Sequence, residues 1–144
     1  MFLGEFEHNI DDKGRLIIPA RLRSELDDEV FVTRGFDGCL FVYTLEAWNN
    51  LADQLNRLPI SQAAARMVSR MLFSGSESSL DRQGRISVPP PLREHAAIEL
   101  GAEVVVVGVN NRIELWSKAR WQIVTDKLET DGTELAAELG ELAF

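Results

Sequence analysis

The hydrophobic positions of this chain pass through one order of periods and then pass through it again. Phe2 to His8 alternates, with Phe2, Gly4 and Phe6 set against Leu3, Glu5 and Glu7, which predicts a strand. A tight polar turn leads to a short apolar run, Leu16-Ile17-Ile18, and Pro19 stops it. A short helix is predicted from Ala20 to Leu26, where Pro19 suits its first turn. Val30 to Thr33 and Cys39 to Tyr43 are β-rich runs about a turn at Gly35–Gly38. Thr44 caps a helix to about Arg57, Leu58-Pro59-Ile60 breaks it, and Ser61 is placed to cap another over 62–73. The apolar residues of that helix, Ala64, Met67, Val68, Met71 and Leu72, fall on one face.

The plan then returns. Ser74 to Ser79 leads into a second turn and a second apolar run, Ile86-Ser87-Val88, followed by prolines 89–91 and a predicted helix from Pro91 to Ala97. Val104 to Val107, a turn at Asn110-Asn111 and Ile113 to Trp116 follow, and Ser117 caps a helix through about Leu128. Residues 10–23 align with 80–93 without a gap over fourteen positions, which identifies a duplicated module. Tyr43-Thr44 and Trp116-Ser117 correspond at an offset of 73, as do Trp48 and Trp121, so the repeat outlasts its motif. The sequence divides into a first half over 1–60, a linking helix over 61–73, a second half over 74–128 and an acidic tail over 129–144. Gly132 and Gly140 weaken a helix in the tail, so it reads as frayed.

The shared motif is Asp-x-x-Gly-Arg. Asp11 and Asp81 suit the first position of a type I turn, and Gly14 and Gly84 its fourth. Arg15 and Arg85 leave that turn on a rigid base. Such an arginine can pair with guanine O6 and N7, or it can merely bridge to the aspartate four residues before it. An exposed bridge of that kind is worth about 0–1 kcal/mol, a weak reason for the pattern to stand in both halves. The two roles are compatible, with Asp orienting Arg. Lys13 and Arg82 sit at the turn tips. Arg21, Arg23 and Arg93 lie near the ends of short helices, either as phosphate contacts or as solvated face.

Net charge is −8, which taken whole opposes a nucleic-acid partner. Its distribution changes that reading: from Asp126 onward six acids face one lysine, whereas Lys13, Arg15, Arg21, Arg23, Arg82, Arg85 and Arg93 gather in and beside the motifs, a local and modest signal that Asp11 and Asp12 dilute in the first copy. Asp11, Asp12 and Asp81 have no His or Cys at metal-ligand spacing and each has a turn-forming role, so neither metal, cofactor nor catalysis is expected. His8 and His95 are far apart in sequence, no Gly-x-Ser-x-Gly is present, and the single Cys39 reads as a buried small hydrophobe. The start lacks a secretory pattern and no stretch approaches a membrane span, so a cytoplasmic protein without a small-molecule substrate is expected.

Met1-Phe2-x-Gly4 at the start, and Leu/Ile-Asp-x-x-Gly-Arg followed by Pro in both halves, resemble the MraZ family of bacterial transcriptional regulators, encoded at the head of the division and cell-wall gene cluster. The resemblance reaches to about Leu128 and excludes the tail. It implies an α+β fold in which two AbrB-like swapped hairpins, a form shared with certain antitoxins, interlock within one chain into a barrel-like β core with short flanking helices. It further implies homo-oligomeric rings, a nucleoid-associated protein, and binding of double-stranded DNA at direct repeats in its own promoter. Two other readings stay open: an antitoxin-like module with a toxin-wrapping tail, and a ring-forming scaffold that binds no DNA.

Overall fold

A computed structural model describes all residues, 1–144. The first half supplies β1 (Phe2–Asn9), β2 (Arg15–Ile17), α1 (Ala20–Arg23), β3 (Glu29–Arg34), a 3₁₀ turn at Phe36–Gly38, β4 (Leu40–Thr44) and α2 (Leu45–Asn56). After α3 (Ala63–Leu72) the order recurs as β5 (Ser76–Ser79), β6 (Arg85–Ser87), α4 (Pro90–Ala96), β7 (Glu103–Asn110), β8 (Arg112–Ser117) and α5 (Lys118–Glu138). The architecture is α+β, and every strand pairs with one from the other half.

Six antiparallel strands form one sheet in the order β1-β7-β8-β4-β3-β5, and β2 pairs with β6 as a separate two-stranded ribbon. β1 lies on β7 over Phe2↔Asn110 to Asn9↔Glu103, and its counterpart β5 lies on β3 over Glu29↔Ser79 to Val32↔Ser76. The centre is β4 against β8, with Val42 opposite Ile113. The order is symmetric about that central pair, so each half lends its first strand to the edge of the other. The expected barrel is not closed: β1 and β5 end the six-stranded sheet, and the ribbon ladder is distinct from it.

Both faces of the large sheet are buried, and its period of two divides them. Val30, Val32, Leu40, Val42, Val104, Val106, Ile113 and Leu115 point to one side, where they meet Leu16, Ile18, Ile86 and Val88 of the ribbon and Leu22 and Leu92 of the short helices. Phe31, Phe41, Tyr43, Val105 and Trp116 point to the other, beneath α2, α3 and the start of α5. Phe31 stacks on Trp48 with ring centroids 3.9 Å apart. Cys39 is fully buried there, and burial pushes its thiol pKa up. Since each core draws side chains from both halves, neither half has a complete core alone.

Four expectations are corrected. The helix after Ser117 runs to Glu138 rather than stopping near Leu128 and leaving a frayed tail. Gly132 costs about 1 kcal/mol within a helix, and a cooperative run of 21 residues absorbs it. Ser61 does not cap α3: Gln62 holds that position without a side-chain bond, and Arg66 Nη1 donates to the carbonyls of Ile60 and Ser61 instead. On α3 the inward residues are Ala65, Val68, Met71 and Leu72, while Ala64 and Met67 face solvent. α1 spans only Ala20–Arg23, continuing as single turns from Glu25 to Leu22 and Leu26 to Arg23. The caps at Thr44 and Ser117 are present, accepting from the N–H groups of Ala47 and Arg120 at 3.1 and 3.3 Å.

Candidate nucleic-acid interface

The site grows from two copies of one turn. Gly14 N–H donates to Asp11 O, Asp11 N–H donates to Arg15 O, and Gly14 has φ +78°. That is a type I turn closed by a left-handed residue, the three-residue hairpin with a glycine bulge. Asp81, Gly84 and Arg85 repeat it, with Gly84 at φ +76°. The aspartate side chain completes the turn. Asp11 Oδ1 accepts from the N–H groups of Lys13 and Arg15 at 2.9 and 2.8 Å, and Asp81 Oδ1 from those of Gln83 and Arg85, both at 2.9 Å.

The second carboxylate oxygen holds the arginine. Arg15 Nε donates to Asp11 Oδ2 at 2.7 Å, and Arg85 Nε to Asp81 Oδ2 at 2.7 Å. Gripping Nε fixes the guanidinium plane but leaves its terminal fork. The fork of Arg15 makes no hydrogen bond within the chain, and that of Arg85 only approaches Asp11 Oδ2 at 3.7 Å. Backbone donation by Arg15, helped by its side chain, holds the Asp11 carboxyl down at about 2, and Asp81 is lowered for the same reasons. Both carboxylates are therefore charged at neutral pH.

The ribbon brings the two turns into one surface. Arg15 lies opposite Ser87, Leu16 opposite Ile86 and Ile17 opposite Arg85. Leu16 and Ile86 point into the core, so Arg15, Ile17, Arg85 and Ser87 share the outer face. The arginine side chains are 33% and 23% exposed, more sheltered than free turn-exit residues, because each lies back against its aspartate. Lys13, Arg82 and Asp12 are exposed at the tips, and Arg21 is exposed on α1.

Arg23 and Arg93 are placed differently from the other basic candidates. Arg23 Nη1 donates to Gln83 O at 3.0 Å and lies across Gly84, where a Cβ would stand 1.6 Å from it. Arg93 Nη1 donates to Val88 O at 2.6 Å and lies across Gly14, where a Cβ would stand 2.3 Å from it. Each half thus seats an arginine on the turn of the other. The two glycines serve a positive φ and a bare surface at once. The outward pair Ile17 and Ser87 is absent from the basic motif, and only strand register against the buried Leu16 and Ile86 reveals it. Nowhere do three His, Cys, Asp or Glu side chains converge as metal ligands, and no helix is long and apolar enough to cross a membrane.

The duplication is also seen in comparison with known proteins. The family model described as "MraZ protein, putative antitoxin-like" matches twice, over residues 1–71 and 71–140, one match per half. The chain is 51% identical over 145 residues to the transcriptional regulator MraZ of Halothermothrix orenii and 50% identical to that of Roseiflexus castenholzii, with all of each chain covered. It is 47% identical over 140 residues to that of Ligilactobacillus salivarius, covering 96% of each. These relatives are named as regulators, not enzymes. The doubled turn, the exchanged strands and full-length identity near one half together establish that the chain belongs to the MraZ family.

Proposed function

We propose that this transcriptional regulator binds double-stranded DNA directly, with the outer face of the β2–β6 ribbon in the major groove. The observation that carries the reading is the pair of arginines held at Nε by an aspartate on the outer face of one two-stranded ribbon, with terminal forks that make no hydrogen bond within the chain. The major groove admits a two-stranded ribbon, and an Arg fork matches guanine O6 and N7. Lys13, Arg82 and Arg21 flank the ribbon as phosphate contacts, and Arg23 supports the second turn from beneath. The acids of α5 lie on a separate element, so the overall charge of −8 does not describe this face.

The reading extends to an assembly of several chains in a head-to-tail ring that meets tandem direct repeats in the promoter of its own gene cluster. Chains related by one repeated rotation present their ribbons with the same polarity in succession. The protein is then associated with the nucleoid.

Alanine at Arg15 or Arg85 tests this. One good base contact is worth about 1–3 kcal/mol of discrimination, so promoter affinity falls about 5- to 150-fold while thermal stability changes little. Affinity measured at two salt concentrations falls steeply with salt if phosphates are engaged. Equal losses of stability and affinity would make the motif purely structural. Salt-insensitive, negligible duplex binding would favour the scaffold reading.

A further inference from the structure

The ribbon has a local two-fold axis between Leu16 and Ile86, relating Arg15 to Arg85 and one turn to the other. The groups that build the surface obey it: Asp11 with Asp81, Gly14 with Gly84, Arg15 with Arg85. A two-fold reading head meets inverted half-sites, because its two recognition elements face opposite ways. Yet the solvent-facing positions break the symmetry. Ile17 corresponds to Ser87, Asp12 to Arg82 and Lys13 to Gln83.

The central break is the one best placed to read bases. Ile17 is 37% exposed on the outer face, although it is a large aliphatic side chain, and it stands directly opposite Arg85. Ser87 stands at the symmetric place, opposite Arg15. One reading arginine therefore has a branched apolar neighbour, and the other a hydroxyl. In the major groove an apolar side chain meets the thymine methyl, whereas serine donates or accepts with any base. The tips differ too: a carboxylate and an ammonium at Asp12-Lys13 correspond to a guanidinium and an amide at Arg82-Gln83.

We infer that each chain carries a directional reading head, with Ile17 and Ser87 as its specificity-determining pair. Arg15 and Arg85 supply two guanine contacts related by symmetry, and Ile17 adds a thymine preference beside Arg85 that Ser87 does not add beside Arg15. The unit read by one chain is then non-palindromic in itself, whatever the number of chains assembled. This rests on the ribbon being the DNA-binding face.

The test is selection of full-length protein against a random duplex library, with no operator assumed. The wild type is expected to enrich a non-palindromic unit. Ile17→Ser is expected to lose the thymine preference at one position by about tenfold, with the salt dependence of binding unchanged. Combining Ile17→Ser with Asp12→Arg and Lys13→Gln makes the first turn match the second, and this variant is expected to enrich a palindromic unit in place of the directional one. All three positions are exposed, and thermal melting checks that the variants fold. Enrichment of a palindrome by the wild type would overturn the inference while leaving DNA binding intact. So would the same thymine preference in Ile17→Ser. No enrichment at all, with no salt-sensitive binding, would remove the DNA-binding reading and this inference with it.

Discussion

Replacing Gly84 by alanine separates two costs that the turn combines. The first is conformational: at φ +76° a Cβ crowds its own backbone, for about 1–2 kcal/mol. The second is the seat of Arg23, because the new Cβ would occupy the space 1.6 Å from Nη1. The guanidinium is the end of a flexible side chain, so it swings away rather than distorting the backbone. Its bond to Gln83 O is then lost, for about 0.5–1.5 kcal/mol. Gly84→Ala is therefore expected to destabilise by about 1.5–3.5 kcal/mol in urea unfolding. Gly101 provides the control. It has φ +79° but nothing within 4 Å of its would-be Cβ, so Gly101→Ala pays only the conformational cost. A double-mutant cycle with Arg23→Ala isolates the difference, with a coupling of about 1 kcal/mol. Equal losses at Gly84 and Gly101, or no coupling to Arg23, would refute the cross-half seat.

Two further outcomes follow from single contacts. Asp11 and Asp81 have pKa values lowered in the fold from an ordinary 3.8, to about 2 for Asp11. The Asp11 contribution is complete above about pH 4 and is lost as pH falls through about 2, and that of Asp81 is lost at a pH below its ordinary value, so the stability gap between wild type and an Asp11→Asn, Asp81→Asn variant is expected to narrow as pH falls below about 4; a gap constant with pH would contradict it. Thr33 is fully buried and its hydroxyl donates to Leu72 O at 2.7 Å, tying the end of α3 to β3. Thr33→Val is expected to cost about 1–3 kcal/mol in urea unfolding and to speed hydrogen exchange in α3, and unchanged exchange there would show that packing alone holds the helix.

The elements most legible in the sequence were those whose local chemistry and tertiary surroundings agree. The Asp-x-x-Gly turns, the caps at Thr44 and Ser117 and the strands about residues 30–43 and 104–116 need only nearby residues to be recognised. β5 is the opposite case. Ser76-Glu77-Ser78-Ser79 has no apolar alternation, and it is a strand because β3 offers it an edge to pair with. Only its alignment with the end of β1 marks it in the sequence. α5 overran its predicted end because cooperativity carried it past Gly132. Within the site, the Asp–Arg pairs were readable at their spacing of four, whereas the seating of Arg23 and Arg93 depends on the exchange of strands between halves. A chain position near a helix end suggests phosphate contact for both, but the folded neighbour that decides the matter lies 60 residues away for Arg23.

Strand exchange also explains why such a ribbon gains from being encoded in one chain. Two identical hairpins that interlock as a homodimer must carry the same residue at both symmetric places. Every outward side chain is then duplicated, and an inverted site is the natural partner. Joining the copies by α3 keeps the interlocked geometry but lets paired positions diverge. The divergence observed here is selective in its placement. Positions whose change would cost the turn or its cross-half seat are the same in both copies: Asp11 and Asp81, Gly14 and Gly84, Arg15 and Arg85, Arg23 and Arg93. Core positions of the ribbon change only among aliphatics of similar size, Leu16 with Ile86 and Ile18 with Val88, as close packing tolerates. The chemically large differences, Ile17 with Ser87 and Asp12-Lys13 with Arg82-Gln83, stand where a side chain meets solvent. Folding constrains the first two groups and leaves the third free, so the outer face of the ribbon is where one chain can acquire a direction that a dimer of identical hairpins cannot.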